Sequence, residues 1–116
     1  MNRQAPLPAA PSVNDPLLTE IVRRLAEVYQ PEEIYLFGST ARGDAGPDSD
    51  YDILILVPDD APAAKRNPDA GYLAVEGLGR SGDFLVWTRR RFEERRCLKA
   101  SLPATVLREG KLLYAA

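Results

Sequence analysis

Ile53-Leu54-Ile55-Leu56-Val57 is an unbroken run of branched aliphatic residues, and it narrows the folds open to this chain more than any other segment. Successive side chains of a strand point to opposite faces, so a strand without polar alternation must be covered on both sides. The run therefore predicts an interior strand, Tyr51 to Val57, in a sheet with helices packed against it, an α/β architecture. Two acids, Asp50 and Asp52, stand at the lip of this apolar strand, and Gly38-Ser39 closes the preceding short apolar run, "EIYLFG". Why acids and a glycine turn should meet at that lip is the question the rest of the chain must answer.

The other elements follow from local signals. Asp15-Pro16 offers an N-cap followed by proline at the first helical position, and Leu17, Leu18, Ile21, Val22, Leu25 and Val28 recur at helical spacing until Pro31. "EIYLFG" reads as a short buried strand ending at Gly38, Ser39 to Gly43 as a short helical turn, and "DAGPDS" as turn chemistry. After the polar connection "PDDAPAAKRNPD", the segment "AGYLAVEGLGRSG" reads as a helix weakened by Gly77 and Gly79, with an irregular segment as the alternative. "DFLVWT", opening at Asp83, is a third strand; Thr88 caps a helix to about Lys99, Ser101 caps another that stops at Gly110, and "KLLYA" is a final strand. Prolines 6, 8 and 11 among small and polar residues make residues 1–15 a tail, leaving 16–116 as one domain.

Composition sets limits on function. The 116 residues suit a single domain with one core, and 45% hydrophobic with 28% charged content is ordinary for a soluble protein. No apolar run reaches the roughly 18 residues needed to span a bilayer, and the start lacks the continuous apolar centre of a signal peptide, so the expected location is the cytoplasm, with no membrane partner. The single cysteine, Cys97, agrees with a reducing compartment and is expected to act as a small buried hydrophobe. With no histidine and one cysteine, any metal must sit on oxygen ligands, which favours Mg²⁺ over Zn²⁺. A net charge of -2 gives no general attraction to nucleic acid. The segment "RRRFEERR", Arg89 to Arg96, reads as a solvated helix face laced by ion pairs, with a docking patch as the alternative.

The acids carry the chemistry. Two residues apart on a strand, Asp50 and Asp52 point to the same side, separated by about 6.6 Å at a rise of roughly 3.3 Å per residue. Bare, they repel; a divalent cation between them explains the arrangement, and Mg²⁺ is commonly held by one or two carboxylates plus substrate phosphates. Gly38 lets backbone approach a ligand, and the turn into a helix directs free N–H groups, with the Ser39 hydroxyl, at a phosphate. Arg42 is placed either to contact phosphate or to brace Asp44 or Asp48. Tyr35, Phe37, Phe84 and Trp87 read as core or sheet-surface aromatics.

Taken together, "GSTARGDAGPDSDYD" resembles the signature of the DNA polymerase β-like nucleotidyltransferase superfamily: Gly-Ser, then Ala-Arg-Gly, then Ser-Asp-any-Asp opening a strand. It is most similar to the minimal nucleotidyltransferase group, and "LREGKLLY", Leu107 to Tyr114, resembles the tail of that group. The resemblance implies a mixed β-sheet with helices packed on it, Gly38 and Ser39 at an ATP triphosphate, and Asp50 and Asp52 as ligands of two Mg²⁺ ions. It also calls for a third carboxylate on a neighbouring strand; Asp83 is the matching position, its alternative role being a solvated strand end. In the resembling group the acceptor is often a tyrosine of a HEPN-type toxin, which makes the transferase an antitoxin. The alternatives are an antitoxin that acts by occlusion alone, and transfer to a small molecule, for which the chain has little room for an acceptor-binding domain.

Overall fold

The computed structural model describes residues 15–43, 50–79 and 82–116. The elements run α1 (Pro16–Tyr29), β1 (Glu33–Phe37), α2 (Gly38–Arg42), β2 (Tyr51–Val57), α3 (Asp69–Ala74), β3 (Gly82–Thr88), α4 (Arg89–Arg95), α5 (Leu102–Glu109) and β4 (Lys111–Ala115). The four strands form one sheet in the order β3-β2-β1-β4. β1 pairs antiparallel with β2 and β4, while β3 lies parallel to β2, so the sheet is mixed.

The aliphatic run dictates the layering. Ile53 to Val57 are all fully buried, and their side chains divide between two apolar clusters. Ile53, Ile55 and Val57 join Ile34, Leu36 and Phe84 beneath Leu18, Ile21, Leu25 and Tyr29 of α1. Leu54 and Leu56 face the other way, under Phe92 of α4 and Val106 of α5. At about 1.5–3 kcal/mol for each fully buried large aliphatic side chain, β2 is the element around which both layers condense.

Asp15 starts α1: its Oδ1 accepts from the Leu17 and Leu18 amides at 2.9 and 3.4 Å, and its Oδ2 accepts from the hydroxyl of Tyr51, a side chain otherwise sealed in the core. The cap thus ties α1 to the first residue of β2, a link between distant residues that the sequence does not announce. The expected tail over residues 1–15, apart from this cap, and the expected turn "DAGPDS" lie outside the described residues.

Three expectations need correction. The helix begun at Thr88 ends at Arg95, short of Lys99, because the Ser101 hydroxyl donates to the Arg95 carbonyl at 2.7 Å and the intervening residues turn back. The weakened helix shrinks to α3, with Gly77 and Gly79 in left-handed conformations (φ 89° and 87°) that no helix continues through. Cys97 is exposed, since it falls in the turn after α4 and outside both apolar clusters. The polar connection also contains a 3-10 turn, Ala63–Lys65. As expected, α4 is laced by Arg89–Glu93, Arg90–Glu94 and Arg96–Glu93 pairs.

Candidate active site

Strand register assembles the site. Phe37, the last residue of β1, pairs with Asp52, and Asp52 pairs with Asp83 on β3. Neighbouring strands lie about 4.8 Å apart, so these residues form a row across three strands at one edge of the sheet. Alternation puts the row on the face that carries Leu54 and Leu56, beneath α4 and α5. Parallel pairing of β3 with β2 is what brings Asp83 beside Asp52: both strands begin at the same edge, and Asp83 is the second residue of its strand as Asp52 is of its own.

Gly38 closes the site from the side of β1. It turns the chain from β1 into α2 with φ 75°, a region that side-chain-bearing residues avoid. A Cβ there would collide with Asp52 Oδ2 and come within 3.0 Å of its Cγ. Glycine is therefore required twice, for the turn and for the close approach of backbone to carboxylate. Within α2, the Thr40 hydroxyl donates to the Asp50 carbonyl at 3.2 Å, fixing the helix against the residue before β2. Sequence reasoning passed over Thr40; its place directly after Gly38-Ser39 is the only signal it carries.

The electrostatics centre on Asp52. Burial pushes its carboxyl above the usual carboxylate range, and the charges of Asp83 and Asp50 push it further, with Arg42 partly offsetting them. Asp50 and Asp83 are themselves exposed. Among the described residues no three His, Cys, Asp or Glu side chains sit close enough to make a metal-binding group. The three acids thus feel one another without converging: Asp52 and Asp83 are direct sheet neighbours, while Asp50 adds charge from the flank. An all-carboxylate donor set with an excess of negative charge fits a hard divalent ion.

Arg42 is engaged by Glu109 of α5, Nη1 to Oε1 at 3.6 Å, which ties α2 to α5. The alternative partners Asp44 and Asp48 lie outside the described residues, as does the Ser39 side chain; the backbone of residue 39 belongs to α2. Of the aromatics, Phe84 is buried in the core, and Tyr35, Phe37 and Trp87 line the sheet face on the α4–α5 side. No helix among the described residues is long and apolar enough to cross a membrane.

Residues 18–112 match the family model of the nucleotidyltransferase domain. A search of curated proteins finds no match. Among solved structures, the chain is similar to a candidate nucleotidyltransferase from Sulfolobus solfataricus, with 27% identity and a TM-score of 0.52 over 85% of this chain and 78% of that one. It is also similar to a toxin-antitoxin structure with AMP-PNP, at 24% identity and TM-score 0.56 over 84% of this chain and 73% of the other. A mutant MntA-HpeT toxin-antitoxin structure, carrying two Asp-to-Glu replacements two positions apart, matches at 20% identity and TM-score 0.54, over the same shares.

Proposed function

The chain belongs to the nucleotidyltransferase domain family, and from that premise we propose that it is an antitoxin that moves AMP from ATP to a protein hydroxyl, the acceptor lying on a HEPN-type toxin partner. Within such a reaction Asp50, Asp52 and Asp83 hold Mg²⁺, two ions being the number that three acids and a triphosphate accommodate. The observation that carries the reading is the in-register pair of Asp52 and Asp83 at the same sheet edge as the Gly38 turn. The toxin partner and the adenine nucleotide are favoured by the toxin-antitoxin neighbours, one of them determined with AMP-PNP.

The residues divide the work. Gly38, lacking a side chain, lets the Asp52 carboxylate lie against the first turn of α2, and the triphosphate oxygens accept from backbone N–H groups of that turn that have no acceptor within the helix. Ser39 supplies a hydroxyl to the same phosphates. Asp52, half-buried and backed by Gly38, is the fixed ligand of the group. Asp83, exposed on the edge strand, faces the incoming acceptor and takes up its proton. Bound Mg²⁺ supplies charge neutralisation at the phosphates and lowers the pKa of the attacking hydroxyl. The acceptor oxygen bonds to the α-phosphorus, the bond from that phosphorus to the β-bridging oxygen breaks, and pyrophosphate leaves in line.

Two labels test this. With ATP labelled at the α-phosphate, label is expected on the partner; with ATP labelled at the γ-phosphate, label is expected only in released pyrophosphate. Label on the partner from the γ position makes the reaction a phosphoryl transfer and overturns the proposal, as does absence of label on the partner from the α position.

A further inference from the structure

One flank of α4 is left with uncompensated charge, and it lies over β3, the strand that carries Asp83. The helix sits over the sheet with Phe92 inward. On one side Arg89 reaches Glu32 and Glu33 of the β1 end at 2.9 and 2.7 Å, and Arg96 pairs with Glu93. On the other side lie Arg91 and Arg95, four residues apart and so on one face. Both are exposed, and among the described residues neither takes part in an ion pair, whereas Arg89, Arg90 and Arg96 all do. The Arg91 guanidinium instead lies 4.0 Å over the Trp87 ring, which fixes that flank of the helix above β3.

β3 is the edge strand of the sheet, and its alternate residues Asp83, Leu85 and Trp87 share the face toward α4. Leu85, between the acid and the tryptophan, is 39% exposed although it pairs with the fully buried Leu54 on β2. The result is an open shelf along β3: a carboxylate of the candidate site at one end, Leu85 in the middle, and Trp87 beneath Arg91 at the other end, with Arg95 on the same face of α4 as Arg91. Asp83 to Trp87 spans about 13 Å at roughly 3.3 Å per residue.

We infer that this shelf seats an acidic segment of the acceptor protein, its carboxylates at Arg91 and Arg95 and its hydroxyl residue at Asp83. This deepens the transferase reading above and rests on it for the hydroxyl's role. Charge complementarity chooses the occupant. The acid end repels a partner's carboxylates and the arginine end attracts them, so an acidic segment is held in one direction along the shelf. Nucleic acid fits less well: neutralising two phosphates gives weak binding that fades with salt, and the chain as a whole carries a net charge of -2. A partner side chain on Leu85 and Trp87 adds the apolar contact that a phosphate backbone does not offer.

The full chain, with fluorescein-labelled glutamate–tyrosine copolymer as the probe, tests this by anisotropy at low and physiological salt, beside a lysine–tyrosine copolymer and a short single-stranded RNA. The glutamate–tyrosine probe is expected to bind, to weaken with salt, and to lose about tenfold or more in affinity with Arg91→Glu combined with Arg95→Glu. Arg91→Gln with Arg95→Gln should lose less, and both variants should keep ATP·Mg²⁺ affinity, with a small drop in Tm from the lost Arg91–Trp87 contact. Asp50→Asn should leave probe binding in place while transfer stops; a wild-type chain that binds the probe but transfers no label from ATP condemns the transferase reading and spares the shelf. Binding of the glutamate–tyrosine probe that neither arginine variant changes, or preferred binding of RNA or of the lysine–tyrosine copolymer, overturns the inference.

Discussion

The carboxylate of Asp52 occupies the space in which a side chain at residue 38 would stand, so the turn after β1 and the acid at the start of β2 are built around each other. Gly38→Ala has no relaxed outcome: φ 75° costs a side-chain-bearing residue about 1–2 kcal/mol, and the new methyl must push Asp52 aside. The expected result is a lower Tm together with loss of label transfer from ATP. A variant close to wild type in both would mean that the approach of residue 38 to Asp52 is incidental.

Asp52 also predicts a pH signature. Its folded-state pKa is raised, first by burial and then by Asp83 and Asp50, so folding favours the protonated acid. That contribution is fully present below the ordinary aspartate range and is lost as pH rises through the raised folded value, leaving the ionised group disfavoured at neutral pH. Asp52→Asn should therefore raise Tm in the absence of divalent ions at pH 7, and the gain should shrink below about pH 4, where aspartate is protonated in the unfolded chain as well. Adding Mg²⁺ should raise the Tm of the wild type and not of the variant. Thermal unfolding at both pH values, with and without Mg²⁺, reads all three.

Asp15→Ala removes an N-cap and the carboxylate to which the buried Tyr51 hydroxyl donates. Caps are worth about 1 kcal/mol and hydrogen bonds to charged groups about 1.5–3 kcal/mol, so a loss of about 2.5–4 kcal/mol is expected in denaturant unfolding. Asp15→Asn, which keeps an acceptor at the cap, should lose less. Equal losses would show that the charge and not the cap geometry matters.

Cys97 is exposed in the turn after α4, so the native protein should react with a thiol reagent at about the rate of the unfolded chain. Its modification should leave ATP binding unchanged. Protection until denaturation would contradict its placement.

Most of the fold was legible because its signals are local. The aliphatic run announces β2 and its two covering layers, Asp15-Pro16 announces α1, and Ser101 announces α5; each agrees with the structure. What escaped was decided by particular side-chain contacts, most of them between distant residues. The early stop of α4 depends on the Ser101 hydroxyl reaching the Arg95 carbonyl, the Asp15–Tyr51 link joins residues 36 apart, and the engagement of Arg42 by Glu109 depends on how α5 packs. At the site, the spacing of Asp50 and Asp52 was readable, and Asp83 was nameable as a strand-edge acid. That Asp83 sits in register with Asp52 is a property of β3 pairing parallel to β2, which no local pattern states.

The central claim is that Asp83, beside Asp52, acts in the transfer itself. The most direct measurement is single-turnover transfer from α-labelled ATP to the partner by Asp83→Asn, with ATP·Mg²⁺ binding followed in parallel. Metal-assisted charge stabilisation is worth several kcal/mol, and each 1.36 kcal/mol is tenfold in rate. The account therefore predicts transfer reduced by about a hundredfold or more while ATP·Mg²⁺ still binds; transfer at the wild-type rate would contradict it and leave Asp83 as no more than the end of a strand.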